Sequence, residues 1–202
     1  MLVALALGAA VSAPALFTDP DLAAALGPLD AAPGAWVEYL VRSGGEGEAR
    51  VRVTALAAGS AGRYWLEVAV ANGSGIAGAF RLLVRGDGQS PAAVERICAM
   101  VAGQQPIEIP LDRLGPAGRA RPRAAAKRVG AARVRVPGGT FQAEALRVSG
   151  TRVWRSSGVP LWGLVKARSR RESIELLAFG LSGGHSIFPG SADQGNGSES
   201  AK

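Results

Sequence analysis

The nine residues EARVRVTAL at positions 48–56 put a small or apolar side chain at every second place. Ala49, Val51, Val53 and Ala55 alternate with Arg50, Arg52 and Thr54. Only an extended chain sends residues i, i+2 and i+4 to the same side. A strand with one dry and one wet face belongs to an antiparallel sheet, because parallel strands are covered on both faces. The same demand recurs at 35–42, 63–71, 79–85, 140–148, 151–156, 163–170 and 173–179. In 63–71 it brings Tyr64, Leu66, Val68 and Val70 together; in 163–170 it separates Val165 and Ala167 from Leu164, Lys166 and Arg168. Turn chemistry stands between the runs: Ser43-Gly44-Gly45-Glu46-Gly47, residues 57–62, Asn72-Gly73-Ser74-Gly75, and the two-residue signal Ser149-Gly150. The expected fold is mainly β (α+β): an antiparallel sheet of about nine strands with one or two helices.

Helix signals are few. Ser90-Pro91 followed by apolar Val94, Ile97, Cys98 and Val101 has a cap residue, proline at the first helical position and a one-sided stripe. Residues 90–101 are therefore expected as a helix of about three turns, with a strand over 95–101 as the alternative. A shorter helix over 22–26 has Asp19 or Asp21 as cap and Gly27-Pro28 as stop. Pro106-Ile107-Glu108-Ile109-Pro110-Leu111 is extended and proline-bounded, suited to a sheet edge or a crossing connection. Residues 115–128, GPAGRARPRAAAKR, read as a flexible basic loop.

Residues 1–15 are expected as a signal peptide: an apolar run too short for the roughly 20 residues of a membrane helix, closed by small residues. Residues 16–33 form a lead-in segment, 34–181 the sheet domain, and 182–202 a polar, Gly/Ser-rich disordered tail. The expected location is the periplasm or the exterior. The formal charge of +7 comes almost wholly from arginines spread over many strands, as on solvated faces, and no nucleic-acid partner is expected. The densest basic group, Arg119, Arg121, Arg123, Lys127 and Arg128, is a solvated loop or a contact for anionic lipid headgroups. The single cysteine, Cys98, excludes an internal disulfide and reads as a small buried hydrophobe.

The chemistry of catalysis is missing from the pattern. His185, the one histidine, stands in a Gly-Gly-His-Ser loop without local partners, and no nucleophile elbow, phosphate loop or HExxH motif is present. Glu38, Glu67, Glu144 and Glu175 are single carboxylates on strands, placed to face solvent or to pair with arginine on a neighbouring strand. The chain is expected to be neither an enzyme nor a holder of metal or cofactor, and to be a monomer. Trp36, Trp65, Trp154 and Trp162 lie on or beside strands, with Trp162 at a bend. A curved sheet with an apolar concave face needs a filler, either a helix of its own or a lipid-like ligand. The candidate lining of such a cavity is Trp36, Leu66, Trp154, Trp162 and Leu164.

The run Pro137-Gly138-Gly139-Thr140-Phe141-Gln142-Ala143, followed by Val153-Trp154-Arg155-Ser156-Ser157-Gly158-Val159-Pro160-Leu161-Trp162-Gly163-Leu164-Val165-Lys166, resembles a pattern of exported bacterial proteins similar in architecture to the LolA/LolB-like lipoprotein-carrier superfamily. The resemblance covers about 134–180 and is architectural before that. It implies an incomplete, strongly curved antiparallel barrel with helices on the concave side. It further implies a cavity that binds a lipid or the acyl chain of a lipoprotein. The alternative is a structural or assembly protein of the cell envelope, its sheet filled by its own chain and its partners other envelope proteins.

Overall fold

A computed structural model describes residues 25–26, 29–30, 32–44, 47–59, 62–73, 75–86, 94–111 and 125–189. They form one antiparallel sheet of eleven strands: β1 (Trp36–Ser43), β2 (Gly47–Ala57), β3 (Arg63–Asn72), β4 (Gly75–Arg85), β5 (Val94–Val101), β6 (Ile107–Glu108), β7 (Lys127–Val136), β8 (Gly139–Val148), β9 (Thr151–Arg155), β10 (Leu164–Arg168) and β11 (Glu172–Gly180). The strand order is β6-β5-β4-β3-β2-β1-β11-β10-β9-β8-β7, so two meanders join where β1 pairs with β11. The outer strands β6 and β7 do not pair with each other, and the sheet is not closed.

Period-two alternation gives the sheet a continuous apolar face. Ile97 lies opposite Leu82, Leu82 opposite Leu66, Leu66 opposite Ala55; Val53 meets Val37, and Val41 meets Ile174. From there Ile174 meets Ala167, Ala167 meets Val153 and Val153 meets Leu146. Val37, Tyr39, Val53, Ala55, Ile97, Ala167, Ile174 and Leu176 on this face are 0% exposed. Each Val, Leu or Ile side chain among them contributes roughly 1.5–3 kcal/mol through burial. Ala25, Leu26, Val159, Leu161 and Trp162 join the same buried cluster from outside the strands. Asp30 and Leu161 hold that arrangement through a pair of backbone hydrogen bonds of 2.9 and 3.1 Å.

At the other end the β7–β8 hairpin reaches across to β11. Gly138 N donates to Leu176 O at 2.9 Å, and Phe141 meets Phe179 with ring centroids 5.9 Å apart. A Cβ at Gly138 would stand 3.1 Å from the carbonyl oxygens of Leu176 and Leu177, a tight fit that glycine avoids.

Four expectations are corrected. The helix expected over 90–101 is strand β5 from Val94 onward, the alternative reading; residues 90–93 lie outside the described residues. Its stripe at 94, 97, 98 and 101 mimics a helix, but pairing with β4 satisfies the backbone and buries Ile97 and Ala99 on the apolar face. Helix is almost absent from the described residues, and the strands number eleven where about nine were expected. The end of the presumed basic loop, Lys127 and Arg128, belongs to β7, paired with Arg147 and Leu146. Cys98, expected in the core, is half-buried on the polar side of β5, next to Glu108 in the register, because Ile97 and Ala99 take the apolar positions. Burial raises its thiol pKa above the usual value, partly offset by Arg96. The signal peptide at 1–15, the capped start of the 22–26 helix, the loop at 112–124 and the tail beyond 189 lie outside the described residues.

Candidate functional site

The five side chains expected to line one cavity are divided among different surroundings. Leu66 and Leu164 are buried in the core cluster, 3% and 1% exposed. Trp162 is buried beside them in the β9–β10 connection. Trp36 lies on the other side of the sheet, where it pairs with Thr54 and carries the Arg52 guanidinium at 4.1 Å; Trp154, partly buried against the core cluster, pairs with Lys166 and carries Arg152 at 5.0 Å. Alternation explains the division, since Trp36 and Val37, or Val153 and Trp154, are neighbours in sequence and must face opposite ways. The bend at Trp162 is made by Leu161 and Gly163, with φ of 64° and 72°. A Cβ at Gly163 would come within 2.8 Å of Ser156 O, so this bend accepts only glycine there. Tyr39, fully buried, donates its hydroxyl to Leu164 O at 3.2 Å, and desolvation holds its pKa far above the ordinary phenol value.

The polar face is laced by ion pairs between neighbouring strands, as the placement of the glutamates anticipates. Glu38 meets Arg50 at 3.8 Å. Glu175 meets Lys166 at 2.6 Å and Arg42 at 3.1 Å, and the Lys166 hydrogen bond is the first reason its carboxyl pKa is lowered. Glu144 meets Arg155 at 2.8 Å and Arg128 at 3.1 Å, and is lowered mainly by the hydrogen bond from Arg155. Near the outer edge, Arg96 binds Glu108 at 2.5 Å and lowers its carboxyl pKa in the same way.

Glu67 departs from this pattern. Expected to face solvent or to pair with arginine on a neighbouring strand, it lies opposite Arg81 of β4 in the register but is only 3% exposed. It accepts hydrogen bonds from Ser186 Oγ at 2.5 Å and Ile187 N at 3.1 Å, and faces Arg81 Nε at 3.3 Å. Arg81 in turn stacks on Trp65, 4.2 Å from the ring centroid, and its pKa is lowered, chiefly by burial. The segment that covers Glu67 was expected within the disordered tail. Instead, residues 183–189 run along the polar face: Gly184 N donates to Gly34 O at 2.8 Å and Phe188 is buried. Thr54, Glu67 and Ala79 are buried although their positions alternate with the apolar face. No local signal could have found this, because Ser186 is 119 residues from Glu67.

Among the described residues no cluster of three or more His, Cys, Asp or Glu is placed to hold a metal ion. His185 is exposed, its Nδ1 3.3 Å from Gly183 O in its own turn. No helix among the described residues is long and apolar enough to cross a membrane. Compared with models of known protein families and with curated protein sequences, the chain matches none.

Proposed function

We propose that this is a non-enzymatic, exported envelope protein that acts as a scaffold: a half-barrel filled by its own chain, whose outer surface meets protein partners. The observation that carries this reading is the packing of the apolar face. Ile97 on β5, Val53 and Ala55 on β2, Val37 and Tyr39 on β1, and Ile174 on β11 are each 0% exposed. A site for an acyl chain requires a concave apolar cavity that buries most of its ligand. The resemblance of Pro137–Lys166 to the LolA/LolB-like pattern supports export and a curved sheet, and it does so for either function.

The second reading is a periplasmic carrier of a lipid or lipoprotein acyl chain, favoured by the continuity of the apolar face across nine strands, β5 to β8. Under that reading the ligand displaces residues that now fill the face, Leu26 and Leu161 among them. Native mass spectrometry of protein purified from its own envelope fraction, followed by organic extraction and titration with a fluorescent fatty-acid probe, separates the two. A bare mass with no probe uptake is the expected result. A stoichiometric lipid or acylated peptide released only on denaturation overturns the scaffold and establishes the carrier.

A further inference from the structure

Register places four cations directly opposite one another on adjacent strands. Lys127 of β7 faces Arg147 of β8, Arg147 faces Arg152 of β9, and Arg152 faces Arg168 of β10. Like charges in direct cross-strand opposition destabilise a sheet. The same sheet shows how such opposition is normally relieved. Arg63 and Arg85 also face each other, and Glu95 bridges them, 2.9 Å from Arg63 Nε and paired with the Arg85 guanidinium. Among the described residues no carboxylate plays that part for Lys127, Arg147, Arg152 or Arg168, all of them exposed.

An open cleft of about 670 Å³ lies over the inner half of this ladder, lined by Arg133, Arg135, Arg152, Arg168 and Arg170 with Trp154. Its remaining cation, Lys166, is already matched by Glu175. The Trp154 ring holds the Arg152 guanidinium at 5.0 Å, and a stacked guanidinium keeps its N–H edge available to an anion. Adjacent strands are about 5 Å apart, so two neighbouring guanidinia can share the oxygens of one tetrahedral anion.

We infer that this cleft is an anion site, whose ligand bears phosphate or phosphate-ester groups with at least two negative charges and occupies the place that Glu95 takes between Arg63 and Arg85. A group of uncompensated cations around one cleft raises the local concentration of such a ligand, and the attraction weakens with added salt. The cleft also takes in Val134 of the core cluster, with Ala132 and Trp154, which pack against that cluster. Two sources share this chemistry: the headgroups of an anionic lipid surface and a soluble phosphate compound.

The test uses the full chain at low ionic strength. Flotation with phosphatidylglycerol vesicles, with phosphatidylcholine vesicles as reference, reads the lipid source; calorimetric titration with inorganic tripolyphosphate reads the soluble one. Each is repeated with Arg152→Gln/Arg168→Gln and with Arg50→Gln/Arg96→Gln, which removes the same charge from β2 and β5. At least one probe is expected to bind, and the ladder variant to weaken it about tenfold or more through loss of two charge-assisted contacts. The control variant is expected to weaken it less than about twofold, as remote exposed charges do. Vesicle binding alone assigns a lipid headgroup, and a tripolyphosphate response assigns a soluble ligand. Absence of both, or equal weakening by the two variants, overturns the site. Circular dichroism verifies that each variant keeps the sheet; relief of repulsion predicts no loss of melting temperature for the ladder variant.

Discussion

Replacing Glu67 by Ala is expected to cost about 3 kcal/mol, at the lower end of the 3–5 kcal/mol for breaking a buried charge pair. The carboxylate is 3% exposed and serves three groups at once: Arg81, the Ser186 hydroxyl and the Ile187 amide. Alanine leaves Arg81, whose side chain is only 17% exposed, without its counter-charge in a place where burial already disfavours the cation. The lower end applies because the Arg81 side chain keeps some access to water and its stacking on Trp65. For a domain of this size about 3 kcal/mol corresponds to a fall of roughly 6–12 °C in melting temperature. Glu67→Gln keeps the shape and one acceptor and is expected to cost about 1–2 kcal/mol. The assay is urea unfolding followed by tryptophan fluorescence, paired with limited proteolysis of the 183–189 segment, which Glu67 anchors. A double-mutant cycle with Ser186→Ala should give a coupling of about 1 kcal/mol. A loss below about 1 kcal/mol in Glu67→Ala, with unchanged cleavage, would refute the reasoning, since a buried carboxylate that serves three groups cannot be removed so cheaply.

Gly163→Ala forces a side chain into φ 72° with its Cβ 2.8 Å from Ser156 O, and should destabilise by about 2 kcal/mol or more in thermal unfolding. Glu175 has a folded pKa below the ordinary carboxylate value, so its contribution is fully present above the unfolded pKa and is lost as pH falls through the lowered one. The melting temperature of the native chain should therefore fall more steeply on acidification than that of Glu175→Gln, and equal slopes would contradict the assignment. Arg152→Gln/Arg168→Gln should raise stability by about 0.5 kcal/mol at low salt, with the gain vanishing near 1 M salt, where screening acts within about 3 Å.

The β class of the chain was legible because alternation is a local property: 48–56 and 63–71 declare their faces without help from the rest of the chain. Cross-strand partners for Glu38, Glu144 and Glu175 followed from the same periodicity. Residues 94–101 show where that legibility stops. Their apolar spacing fits a helix and a strand about equally well, and the backbone partners waiting on β4 decide between them. The surroundings of the five candidate lining residues were hidden for a related reason: which side of the sheet each one faces depends on register, and residue type alone does not carry that information.

By itself, then, the amino-acid sequence determined the antiparallel strands, their dry and wet faces and the turns between them, because each rests on spacing and φ/ψ preference within a few residues. Only the tertiary structure decided that β1 meets β11, that 183–189 bury Glu67, and that Lys127, Arg147, Arg152 and Arg168 line up across four strands. Each of these is a matter of register between segments distant in the chain. Register is set by the total burial and hydrogen bonding of the assembled sheet, a quantity that no single stretch of sequence contains.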